Sequence, residues 1–214
     1  MSQYVVEVVN VSKAFRKQPI FHSVNLSLQS GKAYGFVGPN GSGKSILFKI
    51  LSGLLASDSG EIRVFGKTLG KDIDVPPDTG IIIEAPHFLE EYSGIKNLQY
   101  LAAIQKKITD KEIRSAMEAV GLDARNRRPV KKYSLGMKQK LGIAQAIMEH
   151  PRLLILDEPF NGLDKTSVEK IRSLLIDRKK SGVTILLTSH IAQDIEVICD
   201  EVFEFQDQKL QKIR

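Results

Sequence analysis

The stretch Gly38, Pro39, Asn40, Gly41, Ser42, Gly43, Lys44, Ser45 constrains this chain more than any other. It has the spacing G-x-x-x-x-G-K-S. A short apolar run, 33–37, precedes it, and Ile46, Leu47, Ile50 and Leu51 follow at helical spacing. A strand, a glycine loop and a helix in that order make a phosphate cradle. Gly41 and Gly43 let backbone N–H groups turn inward around phosphate oxygens, and the start of the helix adds partial positive charge. Lys44 reaches the β/γ-phosphates, and the Ser45 hydroxyl can bind Mg²⁺. Gly38 through Ile46 are therefore the candidate nucleotide-phosphate residues. A chance glycine turn is the alternative, and the flanking strand and helix argue against it.

Around the loop the chain alternates strand and helix. Val5, Val6, Val8 and Val9 predict a strand; Val24, Leu26 and Leu28, alternating with polar residues, predict a half-exposed one. Runs 61–65 and 81–83 read as strands as well. Residues 85–150 change to helical character. Ile95, Leu98, Leu101, Ala102 and Ile104 share a face, Thr109 and Glu112 form a capping box ahead of Ile113 and Met117, and Leu141 to Met148 mark a helix stopped by Pro151. Run 153–156 is wholly apolar, as in a strand covered on both faces. Helices around Ile171 and Ile195 then alternate with strands 183–187 and 202–205. The expectation is an α/β fold: a P-loop NTPase sheet core of mainly parallel strands with an antiparallel β portion, formed by 1–84 and 151–214. An α-helical subdomain, 85–150, is inserted into it. The length of 214 residues, 42 % of them hydrophobic and 26 % charged, fits one globular domain.

The apolar run 153–156 ends in Asp157 and Glu158. Ligands of parallel sheets sit at strand C-termini, which places both carboxylates beside the phosphate loop. Asp157 is a candidate Mg²⁺ ligand through water. Glu158 is the candidate to orient or deprotonate an attacking water. His190 closes a strand 33 residues beyond Asp157, room for one crossover helix. It could touch a γ-phosphate or the attacking water, or be a capping or core histidine. His22, His87 and His150 read as surface or packing residues. No Asn-Lys-x-Asp motif for guanine is present, which argues against GTP.

These features resemble the ATP-binding cassette (ABC) family. The decisive segment is Tyr133, Ser134, Leu135, Gly136, Met137, Lys138, Gln139, Lys140, opening a helix 23 residues before Asp157, counted from Ser134. It is similar to the family signature L-S-G-G-Q-x-Q-R. Asn161 to Asp164 resembles the family's D-loop. The resemblance spans nearly the whole chain and implies an ATPase using ATP and Mg²⁺, with Glu158 and His190 catalytic. It implies a head-to-tail pair of such subunits, two copies of this chain in the simplest case, with Ser134, Gly136 and Asp164 serving the partner's ATP. It further implies separate transmembrane permease subunits and a cytoplasmic, peripheral place on the inner face of the cell membrane. Phe15 sits where the family stacks an aromatic on adenine; a core role is the other reading. Phe88, Leu89 and Tyr92 fall where the family meets its membrane partner, or are packing residues.

Three positions depart from the family pattern. Glu84 stands where glutamine is usual; it can ligate Mg²⁺ with Ser45 and Asp157, or be a strand-end surface residue. Leu135 and Met137 replace a glycine and a glutamine. The Ser-Leu-Gly-Met form resembles the branch of multidrug, bacitracin-type and lantibiotic exporters. A soluble ABC ATPase acting on nucleic acid or ribosomes is an alternative, as is a non-hydrolysing nucleotide-dependent regulator. The first lacks the tandem cassettes or long insertion usual for it, so no stable nucleic acid partner is expected.

The net charge of +6 is local. Arg125, Arg127, Arg128, Lys131, Lys132, Lys138 and Lys140 all fall in 125–140, with no acid among them. A solvated loop, or contact with a membrane subunit or anionic lipid, would account for them. The lone Cys199 fits a reducing compartment. The first ten residues have no secretory pattern, and no run approaches the ~20 apolar residues of a membrane helix.

Overall fold

A computed structural model describes residues 4–214. Its strands are β1 (Tyr4–Phe15), β2 (Gln18–Gln29), β3 (Ala33–Val37), β4 (Ser59–Val64), β5 (Lys67–Thr68), β6 (Thr79–Ile82), β7 (Leu153–Leu156), β8 (Thr184–Thr188), β9 (Glu201–Gln206) and β10 (Lys209–Lys212). The helices are α1 (Lys44–Leu51), α2 (Gly94–Gln105), α3 (Asp110–Ala119), α4 (Leu135–Ile147), α5 (Lys165–Lys180) and α6 (Ala192–Ile198). One sheet is antiparallel, in the order β2-β1-β4-β5. The other runs β10-β9-β3-β8-β7-β6 and is parallel except at its β9–β10 edge. This is the α/β architecture the sequence predicts.

Strand chemistry explains the layers. Leu153, Leu154, Ile155 and Leu156 are all fully buried, and successive side chains point to opposite faces. Leu154 and Leu156 join a cluster with Leu98, Met117, Leu141, Ile171 and Ile185. Leu153 and Ile155 join another with Leu47, Phe48 and Leu51 and with Val5, Val6, Val8 and Val11 of β1. Each face of the parallel sheet thus has its own core, and each buried aliphatic side chain contributes about 1.5–3 kcal/mol. The helices of 94–147 share the first core with the sheet. Thr109 and Glu112 form the predicted capping box at α3.

Polar anchors fix the segment between β6 and α2. Asn97 is buried; its Oδ1 accepts from Leu89 N–H at 2.7 Å, and its Nδ2 donates to the carbonyls of Leu89 and Ser93. The basic stretch lies along this segment. Val130 N–H donates to the Tyr92 carbonyl and Lys131 N–H to that of Glu90. Lys131 pairs with Glu91 at 2.6 Å, Lys138 with Glu90 at 3.5 Å, and Arg125 with Asp123 at 3.3 Å. Acids from outside 125–140 therefore answer part of its charge. Phe88 packs against the core, whereas Leu89 and Tyr92 are exposed.

Sequence periodicity leaves β5 and β10 unmarked. β5 has two residues, and β10 is a mostly exposed edge strand, Lys-Leu-Gln-Lys, whose register comes from β9. Gly80 in β6 is a different omission. A Cβ there would sit 1.9 Å from the Ala146 carbonyl oxygen of α4, so β6 and α4 touch backbone to backbone. Gly80→Ala is expected to force the two apart and cost about 3 kcal/mol, lowering Tm by roughly 6–12 °C for a chain of this size. A thermal melt with an unchanged midpoint would show that this contact does not set the spacing.

Candidate functional site

Parallel register lays out the site. Phe36 lies opposite Thr188, Leu187 opposite Leu156, and Leu156 opposite Ile82. Beyond these pairs the four strands end at one edge of the sheet, delivering Gly38, Asp157, His190 and Glu84 to neighbouring loops.

The phosphate loop is shaped by what surrounds it. Gly43 has φ 107, a left-handed conformation disfavoured for other residues, and a Cβ there would meet Ile20 and Phe21 at 2.9–3.0 Å. Gly43 caps α1, whose ladder begins with Leu47 N–H to the Gly43 carbonyl at 2.8 Å. The first-turn N–H groups of Lys44, Ser45 and Ile46 have no intrahelical acceptor and point toward the loop. Lys44 is buried and donates to the carbonyls of Gly38 and Pro39 at 2.8 and 2.9 Å. Burial lowers its pKa, opposed by the charges of Glu158 and Asp157. The same two carboxylates thus sense the loop lysine.

Thr188 joins the two carboxylates. Its Oγ1 donates to Asp157 Oδ1 at 2.6 Å and accepts from Glu158 N–H at 2.8 Å. Glu158 has φ 49, a left-handed backbone that costs a non-glycine residue about 1–2 kcal/mol. Gln139 of α4, buried, donates to the Pro159 carbonyl at 3.0 Å and holds the following turn. His190 N–H donates to Glu158 Oε2 at 3.2 Å, and His190 Nε2 lies 3.2 Å from Glu158 Oε1. That Oε1 is buried and has no aligned hydrogen bond. Burial pushes the Glu158 carboxyl above the usual range, with the His190 charge opposing. The histidine is an exposed neighbour of the carboxylate, not a core residue.

Glu84 and Lys49 form a second pair. Glu84 also has a left-handed backbone, φ 64, and its Oε1 accepts from Lys49 Nζ at 2.5 Å. Lys49 holds its carboxyl below the ordinary range. Ser45 and Lys49 are four residues apart in α1 and share a face, so Glu84 stands one turn along from Ser45. Phe15 is exposed, with Lys13 Nζ 5.3 Å from its ring centroid, so its core reading falls. Among the described residues no three or more His, Cys, Asp or Glu side chains gather as a metal cage. One hydroxyl and one or two carboxylates are instead the sparse oxygen set that suits Mg²⁺ carried with phosphates and water.

The comparisons with known proteins agree with this geometry. The sequence model described as "ABC transporter" matches residues 21–161. The chain is 40 % identical over 207 residues to an uncharacterised ABC transporter ATP-binding protein, YybJ, of Bacillus subtilis (strain 168), covering 97 % of this chain and 95 % of that one. It is also 40 % identical over 202 residues to the bacitracin transport ATP-binding protein BcrA of Enterococcus faecalis, covering 94 % of this chain and 66 % of BcrA. A solved structure of an ATP-binding subunit of an ABC transporter superposes with TM-score 0.87 at 27 % identity, covering 98 % of this chain and 90 % of that chain.

This chain belongs to the ABC transporter family. Its signature residues stand apart from the phosphate loop of this ABC subunit: no hydrogen bond or ion pair joins Ser134, Gly136 or Asp164 to it among the described residues. Ser134 caps α4, its Oγ accepting from Met137 N–H at 3.2 Å. Gly136 is close-packed, and a Cβ there would sit 2.8 Å from the Gly162 carbonyl oxygen, so the signature and the D-loop touch. Asp164 caps α5 and accepts from Ser167 N–H and Oγ, both at 2.9 Å, which keeps its pKa low.

Sequence reasoning on this ABC subunit missed Thr188, Lys49 and the packing role of Gln139. A polar residue closing an apolar strand two places before His190 was a legible signal for Thr188. Thr188→Val should leave the Asp157 oxygen and the Glu158 N–H unpaired, costing about 1–3 kcal/mol of stability in denaturant titrations. Glu158 supplies a pH test. Its raised folded pKa means the folded chain holds its proton more tightly than the unfolded one. Its ionisation therefore costs stability as pH rises through the folded pKa. Glu158→Gln should raise Tm at pH 7.5, with the gap closing as pH falls into the ordinary carboxylate range.

Proposed function

We propose that this chain is the ATP-hydrolysing subunit of a transporter, working as a head-to-tail pair of cassettes beneath separate membrane subunits. The observation that carries this is Glu158: a half-buried carboxylate with one buried oxygen free of aligned hydrogen bonds, beside His190, Lys44 and Asp157. Such an oxygen can accept a proton from a water attacking the γ-phosphorus, and its raised pKa strengthens it as a base. Lys44 and the N–H groups of α1 hold the β- and γ-phosphates, and His190 orients the water or the γ-phosphate. Ser45 and Asp157, with Glu84 in support, hold Mg²⁺, which neutralises phosphate charge when bound. Phe15, exposed and flat, stacks on adenine.

Ser134 suits a role in trans. Capping uses its oxygen as an acceptor and leaves its O–H to donate to a partner's γ-phosphate, next to the α4 N-terminus. Gly136 adds close backbone approach there. Asp164, with both oxygens engaged at home, shapes the D-loop presented to the partner. Leu89 and Tyr92, exposed beyond the Glu84 loop, are the surface offered to the membrane subunits. The described residues contain no helix long and apolar enough to cross a membrane, so those subunits are separate chains or segments. On this reading the subunit works at the inner membrane face, and likeness to BcrA supports a membrane partner of that transporter class.

Glu158→Gln is the test. Turnover should fall 10²–10⁴-fold, while ATP binding persists and an ATP-dependent dimer accumulates on size exclusion with light scattering. Undiminished turnover in the variant would overturn the assignment.

A further inference from the structure

A buried ion pair lies behind His190, and none of its members touches the nucleotide-binding residues. Asp194 in α6 is fully buried. Arg172 of α5 donates to its Oδ1 through Nε at 2.7 Å and also through Nη2. Ser189 Oγ donates to Asp194 Oδ2 at 2.6 Å. The same Ser189 oxygen accepts from Ile191 N–H at 3.1 Å, and Asp194 N–H donates to the Ile191 carbonyl at 3.0 Å. His190 is thus flanked on both sides by residues tied to one carboxylate. Its own N–H and Nε2 face Glu158.

We propose that Arg172, Asp194 and Ser189 are positioning residues that set His190 against Glu158, with α5 as the anchor. A buried carboxylate is costly unless fully bonded. Here each oxygen is bonded, so Asp194 has a single low-energy place. Ser189 passes that place to the backbone on either side of His190, whose side chain is exposed and faces Glu158. Arg172 brings the support from α5, the helix that Asp164 caps in the D-loop. A shift of α5 when a partner engages the D-loop would therefore reach His190 through three polar contacts.

The inference rests on the proposed role of His190, and a double-mutant cycle separates the two. Ser189→Ala removes the bridge but leaves the Arg172–Asp194 pair intact. In the full chain its kcat for ATP should fall about tenfold, the effect of one lost oriented contact. KM for ATP should stay close to that of the unmodified chain, Tm should fall by a few degrees because Asp194 Oδ2 loses its partner, and Ser189→Thr should restore both kcat and Tm. In a His190→Ala background, Ser189→Ala should cost nothing further. If Ser189→Ala proves unstable, Ser189→Cys, a weak donor, serves in the same cycle. An unchanged kcat in Ser189→Ala, or an equal loss in both backgrounds, overturns the positioning role while His190 keeps its own. If His190→Ala leaves turnover intact, the assigned role of His190 fails and this inference with it.

Discussion

The hydroxyl of Thr188 accepts the N–H of Glu158 and donates to the carboxylate of Asp157, and the reacting end of the sheet is organised around that one group. The contact exists because β7 and β8 run parallel with Leu156 opposite Leu187. One residue further, Asp157 and Thr188 must meet. A register slip of one residue would turn each side chain to the other face of the sheet and separate them. The register in turn is fixed by burial on both sides, since each strand feeds two cores at once. Apolar packing far from the chemistry therefore fixes which polar groups meet at the edge.

Two of the left-handed non-glycine backbones stand at the same edge. Glu84 and Glu158 both adopt left-handed backbones just after β6 and β7. Each is held by a polar partner: Glu84 by Lys49, Glu158 by Thr188 beneath and His190 beside it. Neither conformation follows from local preference, so the surrounding structure must over-determine it. The rigid sheet supplies that constraint, and the two acids end up on either side of Asp157. Held strain of this kind fits a site whose charged groups must keep their places when phosphate approaches.

Much of this was legible in the sequence, for identifiable reasons. The phosphate loop could be read because glycine at fixed spacing between an apolar run and a helix has few other uses. The strand Leu153 to Leu156 could be read because four buried aliphatic residues in a row need cover on both faces. Phe15 and His190 could not be settled, because exposure depends on what the rest of the chain brings near. Thr188, Lys49 and Asp194 were missed for a related reason. Their partners lie 31, 35 and 22 residues away, and no local pattern encodes such meetings. Gly80 was missed because its neighbour is the backbone of α4, which leaves no mark on residue type.

The charge balance of the site supports the proposed second subunit. Asp157 and Glu158 are already acidic, and among the described residues the only cation bonded to the loop is Lys44, which burial disfavours in its charged form. A triphosphate would add more negative charge than Lys44 and the end of α1 can offset, and a bound Mg²⁺ would neutralise only part of the remainder. The signature carries what is lacking, a capped helix N-terminus with Ser134 at its tip and Lys138 and Lys140 in its first turns. Among the described residues no hydrogen bond or ion pair joins those groups to the loop of their own chain. Lys138 is engaged with Glu90, while Lys140 acts on Asp164 beside the signature. A positive end without its anion and an anionic site short of positive charge, on one chain, fit the head-to-tail pairing proposed above.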